Sequence, residues 1–281
     1  MAAIPKLPAQ EIVERIYKSY EVSEASEDFR LSRIGASSVG NECLRSIWLS
    51  WRAYAKSQFS GRMLRLFGTG HWQEARIVAD LRAAGLEVWD TQPDSAEQID
   101  FTDETGHFIC KVDGVVKGVP GSREKSHNLE IKTHNKNSFS GVVKHGVEKA
   151  KPEHYAQMQA GMWLSGWTRA LYVALCKDDE QYYIERIRED KVEQKRIEAR
   201  VIKLVNATIK PARISEDIDS FSCKFCDMKA VCHNHVEPLR SCRSCVHSTP
   251  VQIKGEWFCT QHSRVLSKDE QLTACEDYEV L

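Results

Sequence analysis

No window of the 281-residue chain approaches eighteen uninterrupted apolar residues, and the opening MAAIPKLPAQEIVERI has no apolar stretch of the secretory kind. A membrane-spanning helix and a secreted chain are thereby excluded, and a soluble, cytoplasmic protein is expected. Internal repeats and low-complexity segments are also missing, which removes solenoids and compositional linkers. Net charge is slight, −1 from 39 Lys+Arg and 40 Asp+Glu, so a uniformly basic wrapper of nucleic acid is excluded while local patches are not. One patch stands out: Arg30, Arg33, Arg45, Arg52, Lys56, Arg62 and Arg65 are opposed by a single acid, Glu42, before Gln73. The apolar fraction of 42% is enough for a real core. Cysteine is plentiful, at ten, and a reducing compartment turns clustered cysteines toward metal rather than disulfides.

The coarse pattern is helical, then extended, then mixed. Residues 9–22 carry Ile12, Val13, Ile16, Tyr17 and Tyr20 at helical spacing. A second helix is expected after Ser37 and Ser38, bearing Cys43, Trp48 and Trp51, and a third from about Met63 to Ala84, closed by Gly85 and open to interruption at Gly68 and Gly70. LEVWD, HFICKVDGVV and HNLEIKTH read as strands. A helix from Pro152 to Ser165, the strands RALYVALCK and QYYIERIR, and a charged helix over residues 189–209 follow. This order predicts an α/β fold with a mixed central sheet flanked by helices. The chain divides as 1–238 and a small module, 239–281, whose apolar content calls for a metal staple.

Chemistry concentrates at Asp113 in KVDGVV and at Glu130 and Lys132 in NLEIKTH. Two residues apart on a strand, Glu130 and Lys132 share a face, and a hairpin would bring Asp113 beside them. Two carboxylates and an ammonium suit metal-assisted phosphodiester hydrolysis: the acids hold a divalent cation, and the cation and lysine offset charge at phosphorus. His71 and Glu74, three apart on the third helix, are further ligand or water-positioning candidates.

The cysteines sort by spacing. Cys223, Cys226 and Cys232 form CxxCxxxxxC, three thiolates of one site, with the fourth ligand open among His233, His235 and the distant Cys43. Zinc and an iron–sulfur cluster both fit such a set. Cys242, Cys245, Cys259 and Cys275 have zinc-ribbon spacing, with His262 competing for the fourth place. Cys110 and Cys176 sit in apolar strands and read as buried structural residues.

GxxHxxE on a helix, then an Asp, then ExK, then a helix with HYAQMQ resembles the PD-(D/E)XK nuclease superfamily over roughly residues 30–235. Its RecB-like branch, with CRISPR-associated RecB-like exonucleases, the AddB nuclease domain and phage recombination exonucleases, is the nearest pattern. The resemblance implies a restriction-endonuclease-like core in which His71, Asp113, Glu130 and the carbonyl of Ile131 bind Mg²⁺ or Mn²⁺. By the same resemblance Lys132 activates water, Gln157 contacts the scissile region, and Tyr155 is a nearby DNA contact. Iron–sulfur members of that branch have one cysteine ahead of the core and three behind it, which favours Cys43 as fourth ligand and a [4Fe-4S] cluster. The sequence departs from the pattern at Val112, where proline is usual, and at Gly161, where a tyrosine often stands.

The implied activity is a DNA exonuclease in recombination, repair or phage DNA processing. A structure-selective endonuclease of the junction-resolvase type and a non-catalytic metal-stabilised DNA adaptor are the alternatives. Partners are then single- or double-stranded DNA ends and a recombinase or annealing protein, in a bacterial or phage-infected cell. Arg45, Arg52, Arg62 and Arg65 are the expected phosphate contacts, interleaved with Trp48, Trp51, Tyr54, Phe59, Phe67 and Trp72. Among these aromatics Trp48 and Trp51 read as core.

Overall fold

A computed structural model describes residues 7–26 and 33–281; Arg30 of the basic patch lies outside them. The amphipathic repeat near the N-terminus becomes α1 (Leu7–Ser26). The second expected helix is two pieces: after the short β1 (Ile34–Gly35) come α2 (Ala36–Val39) and α3 (Leu44–Trp51), so that Cys43 is the N-cap of α3 and not a helical residue. Close packing accompanies the break, since a Cβ on Gly40 would approach Glu153 Cα to 2.8 Å. The third helix, α4 (Gly61–Ala83), runs unbroken through Gly68 and Gly70, and Gly85 beyond its end adopts φ +86°.

The run HFICKVDGVV is the main correction among the strands. After β2 (Glu87–Trp89) and β3 (Asp100–Thr102), it divides into β4 (Phe108–Lys111) and β5 (Gly114–Lys117), which belong to different sheets. Next come β6 (His127–His134), α5 (Lys136–Ala150), α6 (Pro152–Ser165), β7 (Arg169–Cys176), β8 (Tyr182–Arg188) and α7 (Lys191–Val205). The helix α5 was not legible in the pattern. It is capped by Asn135, whose side chain accepts from the Ser138 N–H, and it is interrupted at Gly146, φ 73°.

The main sheet has the order β2-β5-β6-β7-β8, with β6 and β7 parallel and the other pairs antiparallel. The expected mixed sheet flanked by helices is the observed one. Ile77, Val78 and Leu81 of α4 cover one face, against Val116, Leu129, Ile131 and Leu171. Phe139, Val142, Met158 and Met162 of α5 and α6 cover the other, against Ala170, Tyr172 and Ala174. Covering both faces explains why β7 reads as a continuous apolar run. Cys110 and Cys176 are buried, and no helix among the described residues is long and apolar enough to cross a membrane. A second sheet, β1-β4-β3, lies beside the first.

The chain then reaches α8 (Lys229–Cys232), a 3₁₀ turn at Cys242–Ser244, and a three-stranded antiparallel sheet of β9 (Ser248–Pro250), β10 (Trp257–Cys259) and β11 (Arg264–Leu266). A capping box at Ser267 and Glu270 starts α9 (Lys268–Leu272). This tail has its own sheet but not its own core: Trp257, Cys259 and Leu266 join one apolar cluster with Trp48, Trp51 and Phe108. Arg52, expected on DNA, is the joint. It is 2% exposed and donates to the carbonyls of Arg243, Cys245 and Ser248 at 2.8–3.0 Å, with its guanidinium 5.1 Å from the rings of both Trp48 and Trp257. In return Arg243 donates to the Trp51 carbonyl at 2.9 Å. Burial lowers both guanidinium pKa values, to about 10 for Arg52 and about 9 for Arg243, which leaves them charged at neutral pH.

Replacing Arg52 by alanine removes a donor from three buried carbonyls, of which that of Cys245 keeps another, the Ser248 N–H at 3.2 Å, and empties a space between two indoles. The expected cost is about 3–5 kcal/mol, read as a lowered melting temperature with residues 239–281 becoming the first site of limited proteolysis. Weakened DNA binding with unchanged melting would instead restore Arg52 to the DNA surface.

Candidate active site and cysteine centres

The break between β4 and β5 positions the first carboxylate. Val112 N–H donates to the Ile99 carbonyl, beside the second sheet, and the next residue, Asp113, donates to Leu129 of the main sheet. Gly114 pairs with Leu129 in the ladder, so Asp113 falls beside Glu130, and its Oδ2 accepts the Ile131 N–H at 2.7 Å. The hairpin anticipated between Asp113 and the Glu130–Lys132 pair is therefore present. Lys132 Nζ is ion-paired to Glu130 Oε1.

Electrostatics tie two further residues, His71 and Glu74, to this corner. Glu130 is 3% exposed, and burial, with Asp113 and Glu74 adding to it, pushes its carboxyl up to about 7 against the pull of Lys132. Burial likewise raises Asp113, opposed by Lys132, the Ile131 N–H and His71. Burial alone would lower the Lys132 ammonium, but Glu130, Asp113 and Glu74 outweigh it and raise its pKa. From α4, half-buried Glu74 is raised by burial and by Asp113, while His71 and Lys132 lower it. Hence His71, Glu74, Asp113, Glu130 and Lys132 act on one another although they come from three separate elements.

Gln157 lies half-buried on α6 with no hydrogen-bond partner among the described residues, whereas its neighbour Gln159 is committed to Arg188 and Asp190 of the backbone. Tyr155 packs against the α5–α6 face and its hydroxyl reaches Asp190 at 3.5 Å, so it is engaged inside the fold. The glycine at 161 has a steric reason: a Cβ there would meet Cys110 Sγ at 3.2 Å and Asn128 Nδ2 at 3.3 Å. Sequence reading missed His134, His154 and Tyr172. The Tyr172 hydroxyl lies 2.9 Å from His134 Nε2 and 3.0 Å from His154 Nδ1, with both imidazoles pushed down by burial, to about 4 and about 3. For His134 the signal was available, because it continues the Glu130, Lys132 alternation; that Tyr172 is the ladder partner of Glu130 is known only from the register of β6 and β7.

Cys43, Cys223, Cys226 and Cys232 line one small cavity, together with Ser46, Arg213 and His233. Cys226 Sγ donates to Ser46 Oγ at 3.5 Å, and Arg213 fastens the Cys232 carbonyl at 2.8 and 3.0 Å. His233 Nε2 is buried there without a hydrogen bond, while His235 is exposed and absent from the lining. In the tail, burial and then the thiols of Cys275, Cys245 and Cys259 push Cys242 up to about 11. His262 Nε2 stands 3.5 Å from both Cys275 Sγ and Asp277 Oδ2.

The expected phosphate contacts separate. Arg45 is half-buried and donates to the Pro211 carbonyl at 2.9 Å, and Arg52 is wholly internal. Only Arg62 and Arg65 of that set are exposed. Trp48, Trp51 and Tyr54 are core, so Phe67 and Trp72 remain as the outward aromatics.

No family model matches the sequence, and no curated protein does. Solved structures similar to the chain include an alkaline exonuclease (LHK-Exo) from Laribacter hongkongensis, at 22% identity and a TM-score of 0.44, covering 66% of this chain and 90% of that one. SSO0001 is similar at 18% identity and a TM-score of 0.44, over 79% of this chain and 96% of that one. LHK-Exo in complex with dAMP gives 22% identity and a TM-score of 0.40, over 68% and 90%. At this degree of overlap the chemistry has to come from the side chains themselves.

Gly161→Tyr is expected to overpack the contact with Cys110 and Asn128 and destabilise the fold by about 1–3 kcal/mol. Chemical denaturation measures it, and an unchanged midpoint would show that α6 can move away from β4.

Proposed function

We propose that the protein is a divalent-metal-dependent DNA nuclease of the PD-(D/E)XK kind, acting from DNA ends as an exonuclease. The observation that carries this reading is the convergence of Asp113, Glu130 and Lys132 with His71 and Glu74 at the start of β5. The donor set fits a hard divalent cation: three carboxylates, of which Glu130 is buried and Asp113 half-buried, face a single ammonium. Asp113, Glu130, His71 and the Ile131 carbonyl would hold the ion. When bound, a divalent ion polarises a phosphate and acidifies a coordinated water. Lys132, kept protonated by its acidic neighbours, offsets charge that develops at phosphorus. Glu74, whose carboxyl is raised, is suited to accept or hold the proton of the attacking water, and the unengaged Gln157 amide to contact the scissile region.

The purified chain is expected to degrade linear DNA with Mg²⁺ or Mn²⁺ and to spare closed circles. Asp113→Asn and Lys132→Ala should each lose about a hundredfold or more in rate while still binding DNA. Cleavage of circles would replace the exonuclease by an endonuclease. Full activity in both variants would sink the assignment, and binding without cleavage in the wild type would leave an adaptor.

We infer that Cys43, Cys223, Cys226 and Cys232 hold a [4Fe-4S] cluster and that Cys242, Cys245, Cys259 and Cys275 hold zinc. Four thiols around one cavity support the first set, and the second is supported by its ribbon spacing, by the mutual influence of the four thiols, and by His262 Nε2 standing 3.5 Å from Cys275 Sγ. The chemistry of both centres is structural, a gain in folding free energy on binding. Anaerobically purified protein is expected to be brown and to contain iron and labile sulfide. Cys43→Ala should lose the colour and melt earlier, while His233→Ala keeps it. A colourless protein with two zinc ions, sensitive to His233→Ala, would overturn the cluster.

A further inference from the structure

We propose that the outer face of α4 is a docking strip for a single DNA strand, with an unpaired base stacked on Trp72 and the phosphates held by Arg65 and Arg62. The strip takes its ligand from the nuclease reading above, but it is built from residues that the active site does not use.

Trp72 is 83% exposed and directly follows His71. Helical geometry sets Arg65, Thr69, Trp72 and Arg76 on one stripe, with about 10 Å of rise between Arg65 and Trp72. Arg76 is bound to Glu180 at 2.7 Å, which closes the stripe at its C-terminal end. Toward the N-terminus the cations are less engaged: Arg65 has a 3.4 Å bond to the Tyr20 hydroxyl, and exposed Arg62 has no partner among the described residues. From Gly61 to Gln73 the helix carries no carboxylate. The nearest acid on α1, Glu21, is occupied by the Gly61 N–H at 3.0 Å and by Lys18. The face is thus positive, aromatic and adjacent to the cluster of carboxylates.

Two glycines point the same way. Gly68 and Gly70 sit mid-helix, where each weakens the helix relative to alanine, yet a Cβ at either would meet nothing within 4 Å. Packing inside the chain therefore does not call for them. Side chains on a helix lean toward its N-terminus, so the Trp72 indole leans over the turn containing Gly68 and Thr69. With no side chain on Gly68, a face of the ring stays open to a flat ligand. A nucleobase inside a duplex has both faces covered by its neighbours, and a terminal pair is held flat against its partner, so the ligand that can bring a base along the helix onto this ring is an unpaired strand, bound without regard to sequence.

The test measures binding in the full-length chain carrying Asp113→Asn, by anisotropy of a labelled oligodeoxythymidylate, an abasic strand of equal length and a blunt duplex. Trp72→Ala is expected to weaken oligodeoxythymidylate binding about tenfold, with Trp72→Phe recovering most of it and the abasic strand and duplex unmoved. Arg65→Ala should reduce the slope of log affinity against log salt by about 0.7. Gly68→Leu should weaken the same strand without lowering the melting temperature, since the added side chain enters open space. Equal losses for all three ligands, or no loss on Trp72→Ala, would overturn the strip. Hydrolysis is assayed separately with Asp113 intact. Cleavage together with Trp72-independent binding removes the strip alone, and Trp72-dependent binding without cleavage removes the nuclease reading alone.

Discussion

Asp113 joins the two sheets, and the arrangement of the site depends on that joint. Its own N–H is spent on Leu129, its carboxylate accepts from Ile131, and the residue before it is bonded to Ile99 at the other sheet. A strand that would otherwise continue is thereby split, and the carboxylate at the split is drawn out of water beside Glu130. Burial raises both acids, and the resulting shortage of positive charge is what makes the corner a metal-binding candidate rather than an ordinary strand end.

A second constraint runs through α3. Cys43 caps its first turn, facing the cavity of Cys223, Cys226 and Cys232, and Arg52 immediately after its last turn grips the backbone of the Cys242–Cys245 turn. One eight-residue helix therefore spans two cysteine centres. The tail's third sheet contributes Trp257 to a cluster with Trp48 and Trp51, and guanidinium groups seal the seam by donating to carbonyls that would otherwise be buried unpaired. Such a seam explains how a segment with few apolar residues is ordered: its apolar partners come from the other end of the chain.

Local pattern and global packing contributed differently. The helices ending at Gly85 and Gly166 and the strands of the main sheet other than β5, which was merged with β4, were legible because periodicity and left-handed glycines are local signals. The helix α5 was hidden by Ser, Gly and β-branched residues and by the kink at Gly146; its start was marked only by Asn135. Arginine was the residue type most often misjudged. Its sequence context is the same whether it faces solvent, as Arg62 does, or lies between two tryptophans, as Arg52 does, because only the fold decides which carbonyls surround it.

By itself the sequence determined the fold class, the ExK strand with Asp113 at hairpin distance, and the division of ten cysteines into clustered and apolar sets, since alternation and spacing are properties of adjacent residues. Tertiary structure alone decided that His71 and Glu74 share a field with Asp113, that position 161 has no room for a ring, and that Arg52 is a joint while Trp72 stands in solvent. Those outcomes depend on which distant segments meet, and on the cost of burying charge where they do.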